Sequence, residues 1–218
     1  MKLLNLGCGN RFHEKWTNID FHSNNKIVKA HDLRNGIPFN ENTFDAVYHS
    51  HLLEHFPKAE AHKFLEECYR VLKPGGKIRI AVPDLEEIAN QYLLNLKKAS
   101  DGDTEAQDRY DWIMLEMFDQ AVRNYSGGEM LEYWKQDPMP AENFVIERLG
   151  SEVKGFLSSV RNNNGHDGNK NISPQNIGNF RLSGEIHQWM YDRFSLGRLL
   201  SQTGFREVSV CKADESMI

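Results

Sequence analysis

The chain has 218 residues, enough for one large domain or one domain with an insertion. Hydrophobic residues make up 39%, too many for a disordered chain, and 26 Lys plus Arg against 31 Asp plus Glu give a net charge of −5. That balance argues against a binder of the nucleic-acid phosphate backbone, so no nucleic-acid partner is expected. Three scattered cysteines, Cys8, Cys68 and Cys211, make neither a disulfide framework nor a paired metal knuckle. Reduced thiols and a cytoplasmic location are the expectation. Asn5 and Gly7 interrupt the first apolar run, so no signal peptide is expected, and no run of about 18 apolar residues predicts a membrane span.

Short β-rich runs bounded by Gly, Asn and Pro predict strands at Leu3–Leu6, Trp16–Phe21, Ile27–Asp32, Phe44–His49 and Lys77–Pro83. Between the last two, Ala61, Phe64, Leu65, Cys68, Val71 and Leu72 recur at helical spacing, which predicts a helix over Lys58–Leu72. Pro74-Gly75-Gly76 then stops it. Strands joined by helical crossovers imply a mostly parallel sheet with helices on both faces. The middle reads differently. Helical patterns run over Asp84–Lys98, Tyr110–Tyr125 and Glu142–Val160, with a polar break at Ala99–Gln107. The aromatic and Met stripe of Tyr110–Tyr125 reads as core of this helical region. Arg161–Asn171 cannot bury apolar surface and reads as a loop. The sheet pattern resumes with a helix at Ser195–Thr203, Ser195 as N-cap and Gly204 as C′, and a final strand at Arg206–Cys211. The expected organisation is therefore one domain over 1–218 with a helical insertion at about 85–194.

Gly7-Cys8-Gly9 follows the first strand directly, where open α/β sheets bind ligands and glycine lets backbone approach closely. Phe12 stands where the dinucleotide fingerprint needs a third glycine, and there is no Walker Gly-Lys-Ser/Thr. Asp20 ends the second strand and can accept from both hydroxyls of a ribose. Asp32 ends the third and can accept from an adenine amine, with Leu33 beside it to pack on the ring.

The motifs Asn5-Leu-Gly-Cys-Gly-Asn10, Asn18-Ile-Asp20, Asp32-Leu-Arg-Asn-Gly-Ile-Pro-Phe39, Phe44-Asp-Ala-Val-Tyr-His-Ser-His-Leu-Leu-Glu-His-Phe56 and Tyr69-Arg-Val-Leu-Lys-Pro-Gly-Gly-Lys77 together resemble class I S-adenosylmethionine-dependent methyltransferases. Their order suits the methyltransferase-11-like branch. The resemblance covers residues 1–85 tightly and 195–205 loosely. It implies a Rossmann-like fold, S-adenosylmethionine as cofactor, and methyl transfer. The net charge of −5 and the lack of an Asn/Asp-Pro-Pro-Tyr base-methylation motif point to a small-molecule or sugar-containing acceptor, and a monomer or homodimer is expected. The resemblance also implies cofactor contacts from Asn5, Gly7, Cys8, Gly9, Asp20, Asp32, Leu33 and His49. His49 lies where a substrate-facing base belongs, and Glu185–Asp192 returns His187 and Tyr191 as catalytic candidates, i,i+4 if helical.

Three departures stand out. Asn5 replaces the usual acidic residue, so no charge meets the cofactor's ammonium. Eleven positions from Gly9 to Asp20 require a very short first crossover or a turn. Only six residues follow Lys212, so a seventh strand is expected to be missing. The rival reading is metal chemistry. His51 to His55 spells His-x-x-Glu-His, a zinc-peptidase pattern if helical. Its surroundings fit the methyltransferase order, so no metal site is expected. A non-catalytic protein that binds S-adenosylmethionine or S-adenosylhomocysteine is the remaining alternative.

Overall fold

A computed structural model describes residues 1–162, 173–212, 215, 216 and 218. Its first compact unit comprises 1–84 and 188–218, and its second 85–187.

The first unit is built on five parallel strands: β1 Leu3–Leu6, β2 Thr17–Asp20, β3 Val28–Ala30, β4 Phe44–Ser50 and β5 Leu72–Ala81, in the order β3-β2-β1-β4-β5. The order reverses between β1 and β4, and the carboxyl ends of these neighbours open a crevice there. Helix α1, Lys58–Val71, joins β4 to β5 and buries Ala61, Phe64, Leu65, Cys68 and Val71 against the sheet residues Leu4, Leu6 and Val47. That is the apolar face its spacing predicts, at about 1.5–3 kcal/mol per large side chain removed from water. Pro74-Gly75-Gly76 lies inside β5, at a register irregularity between Phe44↔Leu72 and Ala46↔Lys77. A Cβ on Gly76 would stand 2.9 Å from the Lys73 carbonyl oxygen, so that arch admits only glycine.

No helix separates β1 from β2. Ten residues, Gly7 to Trp16, make the whole crossover, and two buried amides hold it. Asn5 Nδ2 donates to Arg11 O (3.1 Å) and to Asn18 Oδ1 (3.2 Å). Asn18 Nδ2 donates to His13 O and Trp16 O, both at 2.9 Å. A helix satisfies its own backbone, whereas this short loop relies on side-chain donors.

The chain re-enters this unit through a strap, 188–192. Tyr191 makes an isolated parallel bridge to Asp84, just past β5. Helix α8, Arg193–Thr203, follows. Its N-cap is Asp192, not Ser195: Asp192 Oδ1 accepts from Ser195 N (2.7 Å), and Ser195 Oγ accepts from Asp192 N (3.0 Å), a reciprocal capping box.

The expected strand Arg206–Cys211 is not formed. Glu207 takes a positive φ of 55°, which breaks an extended run, and Val210 is 78% exposed. The tail lies along a cavity of about 1120 Å³ beside β5, tied by Arg79 donating to Lys212 O at 3.2 Å. β5 therefore pairs on one side only among the described residues.

The second unit is helical: α2 Leu85–Ser100, α3 Thr104–Val122, α4 Gly128–Trp134, α5 Glu142–Leu149, α6 Ser151–Asn162 and α7 Pro174–Leu182. Gly150, at φ 63°, splits the expected 142–160 helix in two. Trp112, Ile113, Ile88 and Val145 are its buried centre, with Trp112 stacked on Trp134 at 6.2 Å. Phe118 and Val122, also part of the predicted stripe, are exposed instead. The loop expected at 161–171 falls largely outside the described residues; Arg161 and Asn162 end α6. No helix among the described residues is long and apolar enough to cross a membrane.

Candidate functional site

The carboxyl edge of the sheet gathers the glycine turn and the acidic strand ends. Gly7 (φ 62°) and Gly9 (φ 52°) both occupy the left-handed region that disfavours a side chain. A Cβ on Gly7 would meet Leu52 Cδ1 at 2.8 Å, so Leu52, two residues past β4, lies directly on the loop after β1. A Cβ on Gly9 would meet nothing within 4 Å, which leaves an open cradle. Asp20 Oδ2 accepts the Gly9 N–H at 2.7 Å, and Oδ1 has only a long contact to His22 N at 3.4 Å. One carboxylate thus shapes the loop and keeps acceptor capacity toward solvent. An open glycine loop beside a strand-end carboxylate suits a nucleoside with an amino-acid tail.

The other expected contacts are arranged differently. Asp32 caps a 3₁₀ turn at Leu33–Asn35, and both its oxygens accept from Arg34: Nε at 2.9 Å to Oδ1 and NH2 at 2.9 Å to Oδ2. The Arg34 hydrogen bonds hold its carboxyl below the usual carboxylate range. An adenine amine would share this acceptor with a guanidinium. Leu33 is buried in the apolar cluster of the sheet, so it shows little face to a ring. Cys8 is buried beside Gly9 O, and burial, then Asp20, raises its thiol pKa. Asn5 is turned into the crossover, its amide spent on Arg11 and Asn18.

His49 is not substrate-facing. It is fully buried with its ring 5.3 Å from Phe64, and neither nitrogen has a hydrogen-bond partner. Burial pulls its pKa down to about 3. An imidazole that weakly basic is a poor proton acceptor, which corrects the expectation of a base here.

The His-x-x-Glu-His stretch is not an α-helix. His51 sits at φ 50° and Leu53–His55 is a 3₁₀ turn, so the two histidines lack the i,i+4 placement the zinc pattern needs. His187 and Tyr191 are likewise not on a helix, since the backbone is irregular over 185–190. They fall in different compact units. His187 is buried in the second, its N–H donating to Gln120 O at 2.9 Å. Tyr191 is buried in the first, at the end of β5.

Two residues that sequence reasoning missed stand out. Asn18 sits at a buried strand position between residues of a predicted strand, and a polar residue in such a place signals a hydrogen-bonding duty. Glu54 is fully buried at the turn after β4.

Comparison with known proteins agrees with this layout. Residues 4–80 match the family described as "Methyltransferase domain". Over 79 residues the chain is 39% identical to a ubiquinone/menaquinone biosynthesis C-methyltransferase (UbiE) of Blochmanniella floridana, covering 36% of this chain and 24% of that protein. Over 65 residues it is 38% identical to a sterol 4-C-methyltransferase of Caenorhabditis elegans, covering 30% of this chain and 18% of that protein. The matched part thus spans about a quarter or less of these relatives. A chain of a solved complex between the Haloferax volcanii Trm112 methyltransferase activator and a methyltransferase aligns over 40% of this chain and 47% of that one. Its identity is 22% and its TM-score 0.33.

Proposed function

We propose, for a chain whose residues 4–80 match the methyltransferase domain family, that it is a class I S-adenosylmethionine-dependent methyltransferase acting on a small-molecule acceptor. The observation that carries this reading is the open Gly7–Gly9 turn locked to Asp20 at the carboxyl edge, beside the order reversal of the sheet. Gly7, Cys8 and Gly9 would hold the methionine part through backbone, and Asp20 would accept from the ribose. When bound, S-adenosylmethionine supplies an electrophilic methyl on sulfur with a neutral thioether as leaving group. The protein's task is then chiefly to position the acceptor and exclude water. The similarity to C-methyltransferases of ubiquinone/menaquinone biosynthesis and of sterols supports a small organic acceptor, and the net charge of −5 supports one that is not a nucleic acid.

Calorimetry with S-adenosylmethionine, followed by methyl-release assays over an acceptor panel, tests this. Asp20→Ala should weaken binding by about 1–3 kcal/mol, the cost of a lost hydrogen bond to a charged group. Unchanged affinity would remove the ribose assignment. Binding without turnover on any acceptor would favour the non-catalytic reading.

A further inference from the structure

The two strand-end acids of the carboxyl edge differ in what they have left to offer. Asp20 keeps one oxygen with only a long contact, to His22 N at 3.4 Å. Asp32 keeps none. An ionised carboxylate has about four acceptor sites, and Arg34 alone fills those of Asp32. The Arg34 main-chain N–H reaches Oδ1 at 3.0 Å, Nε lies 2.9 Å from Oδ1 and 3.1 Å from Oδ2, and Nη2 lies 2.9 Å from Oδ2.

The same guanidinium covers an aromatic ring. Phe21 follows Asp20 directly and is 43% exposed. Arg34 Cζ stands over its face, 5.4 Å from the centroid, and His22 packs T-shaped against the ring at 4.5 Å. Contacts thus run from the Gly9 N–H through Asp20 and Phe21 to Arg34 and Asp32. A flat aromatic face and a carboxylate acceptor are the two features an aminated base would use, and one side chain lies across both.

The lock is a weak one. The Arg34 side chain is 47% exposed and that of Asp32 27%. Solvent-facing ion pairs and cation–π contacts each contribute little. The 3₁₀ turn does not depend on them. Asp32 still accepts the Arg34 main-chain N–H, Leu33 O accepts from Gly36 N at 3.2 Å, and Leu33 is buried in the sheet's apolar cluster. The side-chain fork can therefore open while the turn stays folded, and opening it frees the ring face and the carboxylate in one movement.

We propose that the Arg34 side chain is a gate on the base-binding part of the cofactor site. It must swing off Phe21 and Asp32 before the base of an adenosine-bearing ligand can stack on that ring and donate its exocyclic amine to that carboxylate. The inference rests on the methyltransferase reading of this edge. It makes Arg34 a cost to binding rather than a contact that adds affinity. Apparent affinity falls by the fraction of molecules whose site is open. Two weak contacts leave about one molecule in ten open.

The test measures calorimetric affinities of wild type, Arg34→Ala, Arg34→Lys, Phe21→Ala and the Arg34→Ala/Phe21→Ala double variant for adenosine and S-adenosylhomocysteine. Neither ligand carries a net charge at pH 7, so removing the arginine's charge does not by itself favour them. Arg34→Ala should bind both about tenfold more tightly. Arg34→Lys, which keeps the charge without the fork, should gain about threefold. Phe21→Ala should weaken binding, and by more in the Arg34→Ala background, because in wild type the lost stack is partly offset by freeing the arginine. In wild type, the Arg34 Nε–H resonance should exchange faster with water once S-adenosylhomocysteine is added. Adenosine affinity that is unchanged or weaker in Arg34→Ala would overturn the gate. So would equal Phe21→Ala losses in the two backgrounds, or an Nε–H that the ligand leaves untouched. If wild type binds S-adenosylmethionine and the variant gains nothing, the gate alone fails. If neither protein binds S-adenosylmethionine, S-adenosylhomocysteine or adenosine, the methyltransferase reading fails and takes the gate with it.

Discussion

The two compact units differ in what their buried carboxylates meet. In the second, Asp119 Oδ2, Arg109 Nε, Arg123 Nε and Trp134 Nε1 are buried without a hydrogen bond, yet Glu116 and Asp119 each hold at least one donor. Glu116 accepts from Arg148 Nε (2.6 Å), Arg148 NH2 (2.7 Å) and Trp112 Nε1 (3.0 Å). Asp119 accepts from Glu129 N at 2.7 Å, and Arg181 donates to the carbonyls of Ala121 and Arg123 at the end of α3. In the first, His49, Glu54 and Tyr191 stand at the strand ends without hydrogen bonds. The α3 carboxylates Glu116 and Asp119 thus meet donors within their own unit, whereas Glu54 has no hydrogen bond and stands 3.2 Å from His51.

The strongest way to break this contrast is acid. His49 titrates at about 3 when folded and near 6.5 when unfolded, so the unfolded state takes the proton first. Stability is therefore lost as pH falls below 6.5, continuing towards 3. At about 1.4 kcal/mol for each tenfold difference in proton affinity, the loss is a few kcal/mol, with about 5 as the upper bound. Urea titrations of wild type and His49→Leu from pH 7 to pH 4 should diverge by up to about 3 kcal/mol, the part of the loss that falls above pH 4. Parallel curves would mean that the ring is hydrated.

The second unit offers the complementary break. Arg148→Ala strands Glu116 in an 11%-exposed site and should cost about 3 kcal/mol, read from the urea midpoint. Replacing both by Glu116→Gln and Arg148→Met should cost clearly less, because no uncompensated charge remains. Equal losses would show that the pair adds packing rather than charge compensation.

The crossover loop sharpens the contrast inside the first unit, because its buried polar side chains are satisfied there. Asn5→Asp places a carboxylate at the end of β1, and it removes a donor facing Arg11 O and Asn18 Oδ1. The variant should lose about 2 kcal/mol at pH 7. Two acceptors around the new carboxyl raise its folded pKa, so the protonated form is favoured and the deficit should shrink as pH falls. A deficit that does not change with pH would point to a rearranged loop.

Much of this was legible in the residues. The apolar spacing of Phe64, Leu65 and Cys68 gave α1, and the eleven positions from Gly9 to Asp20 gave a crossover without a helix. The glycine turn and Asp20 met because both follow directly from strand ends. What stayed hidden depends on contacts between distant residues. Val208 and Val210 carry a strand's propensity, but propensity needs a partner, and Glu207 turns the chain away from one. Asp32 reads as a ligand acceptor until Arg34, two residues on, folds back onto it. His49 reads as a base because polarity is visible in a sequence and burial is not. Glu54 was hidden inside a metal-like motif whose helical geometry never forms.

The smallest expected effect lies at an acid that is satisfied within the first unit. Glu67 on α1 accepts from Arg70 Nε and NH2, both at 2.7 Å, and from Ile37 N at 2.9 Å. Arg70 in turn donates to Phe39 O (2.8 Å) and Ile37 O (2.9 Å), so the pair pins the loop after the 3₁₀ turn onto the helix. Gly36 permits the approach: a Cβ there would lie 3.0 Å from Glu67 Oε2. The Arg70 hydrogen bonds hold the Glu67 carboxyl below its ordinary value. A depressed folded pKa means stability that is present above the unfolded value of about 4.3 and is lost as pH falls through the lower folded value. Both side chains are about a third exposed, so solvent screening limits the contribution to about 1 kcal/mol. Glu67→Gln should therefore trail wild type by about 1 kcal/mol at pH 7, and the gap should narrow as pH falls below the unfolded value and close once the folded carboxyl has also taken up its proton. This window lies below most of the His49 window, so a His49→Leu background isolates it. A gap that stays constant down to pH 3 in that background would assign the effect to the neutral hydrogen bond with Ile37 rather than to the charge on Arg70.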